Sequence, residues 1–329
     1  MIVAFSATGS WSVRYELITS RAGGRGVRVL LAGSEHDPLR PALFQRAAWS
    51  PDARRLAFTV ESGKLAGFAR DVYVIGAGGK GMRRLTSDHR SFHPVWSPHG
   101  RRIFYARRPQ GRSEAVAEAD ARRLLSASIW SMRADGSDQR PVTRQVIGRH
   151  DLPESFAPDG ATLAFTRGNL VDGGDEQAEP SSAESWLMRP DGSRARRLVE
   201  RSTAPSFSPD GRTIAFASDR DENGDLYSGE RRYFASELYV MDADGTNRRR
   251  LTRTHDLNER APSWLPAGTR IAYQRGKAIG NAEGTVVMQA NADGSCARAL
   301  LADPELDTWY AAPAWRPAPA RTGNAALRC

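Results

Sequence analysis

At 329 residues and 36.1 kDa, the chain has the length of two ordinary domains or of one large repeat domain. With 40% hydrophobic and 26% charged residues it can build a core, which excludes wholesale disorder, and no apolar run reaches the ~20 residues of a membrane-spanning helix. The formal charge of +9, almost all arginine, raises the question of an acidic partner, while 30 glycines and 19 prolines favour turns between short strands over long helices.

The start, Met1-Ile2-Val3-Ala4-Phe5, lacks the basic and long apolar regions of a secretory leader, so the sequence as it stands reads as cytoplasmic. Ile2–Ser6, Tyr15–Ser20 and Val27–Leu31 read as the second, third and fourth strands of a four-stranded unit, with Gly23-Gly24 in its last turn. The first strand of that unit is expected at the far end, in Ala311-Ala312-Pro313-Ala314-Trp315-Arg316-Pro317.

From Trp49 onward two marks recur. The first is an aromatic, any residue, then proline: Trp49-Ser50-Pro51, Trp96-Ser97-Pro98, Phe156-Ala157-Pro158, Phe207-Ser208-Pro209, Trp264-Leu265-Pro266 and Trp315-Arg316-Pro317. The aromatics are spaced by 47, 60, 51, 57 and 51 residues, the size of a propeller blade plus loop insertions. The second mark is a turn between two apolar runs: Gly78-Gly79, then Asp-Gly at Asp135, Asp191, Asp244 and Asp293. Asp-Gly in that setting signals a hairpin, because its central residues need positive φ. One unit shows the pattern in full as Ala204–Phe207, Thr213–Ser218, Glu237–Met241 and Arg249–Thr252.

The expectation is an all-β, six-bladed β-propeller occupying 1–329, because one such sheet cannot bury both faces and must stack on neighbours. Its composite blade joins 1–31 to 307–317, and five others lie at about 42–86, 91–143, 151–199, 202–252 and 258–301. Pairing of the two ends in one sheet removes an exposed seam. The recurring tryptophan or phenylalanine is read as filling between blades.

These marks resemble the TolB-type propeller repeat, a WD40-like or PD40 repeat, best in Ala204–Gly211 through Ile214-Ala215-Phe216, Glu237–Gly245 and Arg249–Thr252. The resemblance runs from Ile2 to about Pro317 and omits the small α/β domain that precedes the propeller in TolB. It implies a periplasmic or extracellular location if the start is incomplete. It is specific for fold rather than function, since such propellers serve binding proteins, lyases and peptidase gates.

Candidate chemistry sits in what does not repeat. The long insertions, Arg108–Ala127, Gly168–Glu184, Asp219–Ser236 and Gly276–Gly284, all join second to third strands and so share one face. Asp219, Asp221, Asn223, Gly224, Asp225 and Glu230 fit a calcium-loop pattern, with oxygen ligands at alternate positions and a distal glutamate. The alternative is that Ser218-Asp219-Arg220-Asp221 is ordinary hairpin chemistry. The acidic run Asp172, Asp175 and Glu176 reads as solvated surface.

Of the six histidines, His93 precedes a first strand closely, so His93, Glu154, Glu259 and Arg260 are candidates to converge at the channel mouth. No histidine-pair metal spacing accompanies them. There is no G-x-S-x-G elbow and no phosphate loop. Arginines at Arg83-Arg84, Arg140, Arg196-Arg197, Arg248-Arg249-Arg250 and Arg298 fall on or before fourth strands, where charge discourages edge pairing and forms a rim able to attract polyanions. Cys296 and Cys329 have no metal spacing and leave pairing and compartment open. The reading that follows is a monomeric, non-catalytic binding or scaffold propeller with a protein or saccharide partner on the insertion face. The rival is a propeller enzyme such as a polysaccharide lyase, with a metal-assisted site at the channel mouth.

Overall fold

Alternation of apolar residues between the two marks places strands where the repeat predicts them. The computed structural model describes residues 2–8, 14–21, 25–34, 43–62, 69–110, 126–169, 183–224, 226–228, 231–255, 257–276, 285–301, 313–315, 326–327 and 329. Among these, strands and turns account for all regular structure and no helix occurs. The chain folds as an all-β propeller.

The strands run β1 (Ile2–Thr8), β2 (Arg14–Ser20), β3 (Arg28–Ser34), β4 (Leu43–Trp49), β5 (Arg55–Ser62), β6 (Ala69–Gly76), β7 (Arg83–Arg84), β8 (Ser91–Trp96) and β9 (Arg102–Arg107). Next come β10 (Ser128–Arg133), β11 (Arg140–Pro141), β12 (Arg149–Phe156), β13 (Leu163–Asn169), β14 (Ala183–Met188), β15 (Arg196–Glu200), β16 (Thr203–Phe207), β17 (Thr213–Ser218), β18 (Leu226–Ser228) and β19 (Arg231–Tyr233). The last are β20 (Glu237–Asp242), β21 (Arg249–Arg250), β22 (Asn258–Trp264), β23 (Arg270–Gly276), β24 (Val286–Asn291), β25 (Arg298–Leu301) and β26 (Ala314–Trp315). Five antiparallel sheets each take four strands in sequence order: β4–β7, β8–β11, β12–β15, β16-β17-β20-β21 and β22–β25. A further sheet has the order β26-β1-β2-β3, with Ile2 opposite Trp315 and Val3 opposite Ala314. The insertion after β17 contributes a separate ribbon, β18 against β19.

Four of the sheets are capped alike. A hydroxyl just beyond the fourth strand accepts a backbone N–H at the start of the third: Thr86 from Val72, Thr143 from Ile129, Ser202 from Ser185 and Thr252 from Leu238, all at 2.9–3.0 Å. Acidic residues at the start of third strands also hold a fourth-strand arginine, as in Asp71–Arg84 (2.6 Å), Glu184–Arg197 (3.0 Å) and Glu237–Arg250 (2.7 Å). The repeating arginines therefore include cross-strand partners as well as edge charges.

Between sheets the core is apolar. Six buried clusters each bridge two sheets that follow one another, and Trp49, Trp96, Phe207, Trp264 and Trp315 sit within them, as expected of interblade filling. One joins Leu265, Ala272 and Val287 of the β22–β25 sheet to Ile18 and Trp315 of the sheet that uses both ends of the chain. The hairpin glycines are held by the same packing. Gly192 has φ +87°, and a Cβ there would lie 2.2 Å from the Val142 carbonyl oxygen of the preceding sheet.

Cys296 and Cys329 form a disulfide with Cα atoms 5.2 Å apart. Asn291 fixes the same tail by donating to the Leu327 carbonyl (3.1 Å) and accepting its N–H (2.6 Å). The bond joins positions 33 residues apart and encloses β26, so it tethers the strand that pairs with β1. Loop-closure entropy for that separation is worth about 3–4 kcal/mol. Replacing both cysteines by serine is expected to lower unfolding free energy by about 2–4 kcal/mol. Denaturant melts of oxidised wild type and variant measure it, and identical midpoints would show that the tether contributes nothing.

Candidate functional site

The innermost strand of each of the five sequential sheets is interrupted at one place. Register shifts fall between Gln45 and Ala47, Phe92 and Val95, Pro153 and Ser155, Thr203 and Ser206, and Arg260 and Ser263. These are β-bulges, which re-aim a side chain and end local pairing. Arg46, His93, Ala204 and Ala261 occupy the bulge three residues before the aromatic mark, with φ of 37°, 58°, 52° and 47°. In the β12 strand Pro153 holds that position, its ring forbids positive φ, and Glu154 is the extra residue instead. Hydroxyls from the preceding sheet fasten two bulges: Thr59 accepts the His93 N–H (2.9 Å) and Thr166 accepts that of Ala204 (3.0 Å).

The bulges bring three charge-bearing residues of three consecutive sheets together. Arg46 Nη2 donates to Glu154 Oε2 at 2.5 Å, His93 Nε2 lies 3.3 Å from that oxygen, and Thr166 Oγ1 donates to Glu154 Oε1 at 3.0 Å. Burial alone would raise the Glu154 carboxyl, but the Arg46 and His93 groups outweigh it and hold it down at about 2. Burial, then the Arg46 charge, pushes His93 below its ordinary value. His150, buried near this cluster, is lowered to about 4, chiefly by burial. The cluster is thus a fixed ion pair with a neutral imidazole beside it at neutral pH.

A cavity of about 360 Å³ lies against this cluster. It is lined by the first strands of the five sequential sheets and by the β26 segment: Arg46–Trp49, Val95-Trp96, Glu154–Phe156, Ala204–Phe207, Ala261–Ser263 and Pro313–Trp315. Its lining runs from the bulges toward the aromatic-x-proline turns, so the cluster sits midway along the strands rather than at the mouth on the insertion side.

Of the sequence candidates, His93 and Glu154 come together. Glu259 is placed differently: it is fully buried, accepts from Arg275 (2.8 Å) and from the Thr254 hydroxyl (2.6 Å), and is pushed up to about 7, first by burial and also by neighbouring Glu237. Arg260 lies half-buried on β22 opposite Gln274. Arg46 is the partner that sequence reading missed, although its place three residues before Trp49, matching His93 before Trp96, was a usable signal.

In the calcium-pattern loop, Asp219 binds Arg201 (3.0 Å), Asp221 binds Arg250 (2.7 Å) and the Tyr239 hydroxyl, and Asn223 donates to Glu237 (3.0 Å). Asp225 and Glu230 lie outside the described residues, as do Asp172, Asp175 and Glu176. Among the described residues no three His, Cys, Asp or Glu side chains stand together as a metal-holding group, and no helix is long and apolar enough to cross a membrane.

No family model matches the sequence. A curated protein of Agrobacterium fabrum, itself uncharacterised, is 27% identical over 236 residues, covering 69% of this chain and 68% of its own. Among solved structures, a TolB-like protein of Agrobacterium tumefaciens superimposes with a TM-score of 0.64 at 16% identity, covering 94% of this chain and 98% of that one. The fold is that of the TolB-type propellers. TolB of Acinetobacter baumannii gives the same TM-score at 18% identity, covering 96% of this chain and 67% of that one. At these identities the likeness to TolB structures establishes architecture, and the site must be argued from its own residues.

Linkage gives the site two opposite pH signatures. With its folded pKa held at about 2, below the ordinary 4.5, Glu154 contributes stability that is present above pH 4.5 and lost as pH falls toward 2. Glu259, raised to about 7, contributes stability that is present below 4.5 and lost as pH rises through 7. Glu154→Gln is expected to cost about 2–4 kcal/mol at pH 7, because Arg46 loses its buried partner, and to flatten the acid limb of the profile. Chemical denaturation from pH 3 to 8, about one unit apart, checks this, and an unchanged acid limb would contradict the assignment.

Proposed function

We propose that the chain is a non-catalytic binding or scaffold propeller that engages a protein or saccharide partner through the face carrying the insertions. The observation that carries this reading is the contrast between its two ends. At one end, first strands pass to second and third to fourth through short, repeated turns, such as those containing Asp135-Gly136 and Asp191-Gly192. At the other end every connection from second to third strand that departs from the repeat is found, including the β18–β19 ribbon. Uniform turns serve the blades, whereas irregular connections of one face supply the variable surface on which recognition is built.

The axial cluster supports binding over catalysis. A carboxyl held at about 2 stays ionised at neutral pH and is a poor acid or base there. The cluster's geometry instead fixes charge on the axis and orients the inner strands. The rival reading is a propeller enzyme with a metal-assisted site at the channel mouth, which convergence of His93, Glu154 and Glu259 would favour. Glu259 is committed to Arg275 and Thr254 within its own part of the chain.

The proposal includes a ring of six blades closed by the β26–β1 pairing. Support comes from the six bridging clusters and from the axial cavity, which the first strands of the five sequential sheets and the β26 segment line. It also includes an oxidising compartment, periplasmic or extracellular, which the Cys296–Cys329 disulfide supports.

Site-specific photocrosslinking tests the face. A benzophenone side chain placed at Gln110 or His255, on the insertion side, is expected to capture a discrete partner in the source cell. The same group at Asp191 or Asp244, exposed on the turn side, is expected to capture none. Capture confined to the turn side would overturn the proposal.

A further inference from the structure

Arginines concentrate a second time away from the axis. A groove of about 470 Å³ at the outer edge of the β12–β15 sheet and its β16–β21 neighbour is lined by Arg197, Arg201, Arg220 and Arg248, with Glu200 also present. Two of these cations are neutralised. Arg197 binds Glu184 (3.0 Å) and Glu200 (2.7 Å), and Arg201 binds Asp219 (3.0 Å) and Glu222 (2.5 Å).

The other two are not balanced in that way. Arg220 is half-buried and donates to neutral oxygens, the Ser218 hydroxyl and the Glu200 carbonyl, both at 3.0 Å. Its guanidinium lies over the stacked rings of Phe216 (5.5 Å) and Tyr239 (5.2 Å), so its plane and position are set. Arg248, from the same sheet, is exposed in the groove and, among the described residues, forms no ion pair with a carboxylate. Burial, followed by the Arg248 charge, makes the Arg220 cation harder to keep. A half-buried guanidinium that shares a groove with a second one offers donors in a fork geometry suited to a planar or tetrahedral oxyanion.

We infer that this groove binds a phosphate-type oxyanion through Arg220 and Arg248, with the two neutralised arginines also lining it. Arg220 belongs to the insertion that opens at Asp219, but the oxyanion site is argued from its own residues and does not depend on the proposed partner. Two neighbouring blades build it: β15 with the residue after it forms one wall, and the residues following β17 and preceding β21 form the other. The same chemistry occurs in free phosphate and in a phosphate headgroup at a lipid surface.

Calorimetric titration of the intact protein with inorganic phosphate, at ionic strength matched with sodium chloride, tests the first source. Sedimentation with phosphatidic acid vesicles tests the second. Saturable uptake of either probe is expected, weakened about tenfold by Arg248→Gln and further by Arg220→Gln with Arg248→Gln. Arg83→Gln, which removes a cation from a different blade, is expected to leave binding unchanged. Arg248 is exposed, so its variant tests the site without disturbing the stacked rings, and near-UV circular dichroism checks the double variant's fold. Uptake of neither probe, binding that survives both substitutions, or equal loss in Arg83→Gln would overturn the assignment.

Discussion

A four-stranded sheet with apolar side chains on both faces cannot stand alone in water, and this requirement organises the molecule. Leu56, Phe58, Tyr105, Phe165, Phe216 and Tyr273 are almost completely buried because sheets stack on their neighbours. The aromatic at the end of each innermost strand fills the wedge between neighbours, while the glycine of the hairpin between third and fourth strands allows one sheet to approach the carbonyl edge of the last. Pairing Ile2 with Trp315 extends the same solution to the two ends of the chain.

Stacking also fixes what reaches the axis. The innermost strands converge there, and a bulge in each presents one residue out of register. In two of the five sequential sheets that residue is alanine, and in the other three it is Arg46, His93 and Glu154. Their mutual pairing fixes the charges of Arg46 and Glu154 on the axis. The arginine groove has a different origin. It is lined by residues of two neighbouring blades, and of its two unbalanced cations Arg220 belongs to an insertion while Arg248 directly precedes a fourth strand.

Most of the architecture was legible because a repeat states its rule several times. In the best-matched unit, three strand ends shift by one or two residues: Thr203 rather than Ala204 opens the first strand, and Asp242 and Arg250 close the third and fourth. The site was half legible. His93 and Glu154 were readable from their proximity to first strands, but Glu259 shares that feature and turns to Arg275 and Thr254 instead. Sequence position alone does not say which way a bulged strand aims a side chain. The Cys296–Cys329 pair was illegible for a related reason, since it depends on the tail folding back onto the β24–β25 turn, which no spacing encodes. Arg220 was hidden inside a calcium-like pattern, and only packing against Phe216 and Tyr239 separates it from its acidic neighbours.

The central claim is that the axial cluster is a fixed ion pair with Glu154 ionised throughout the working pH range. Carbon-13 NMR titration of the Glu154 carboxyl carbon, assigned by comparison with a Glu154→Gln sample, measures this directly. The account predicts no titration step above about pH 3. A midpoint near the ordinary carboxylate value, or above it, would contradict the claim and return Glu154 to the candidates for acid–base chemistry.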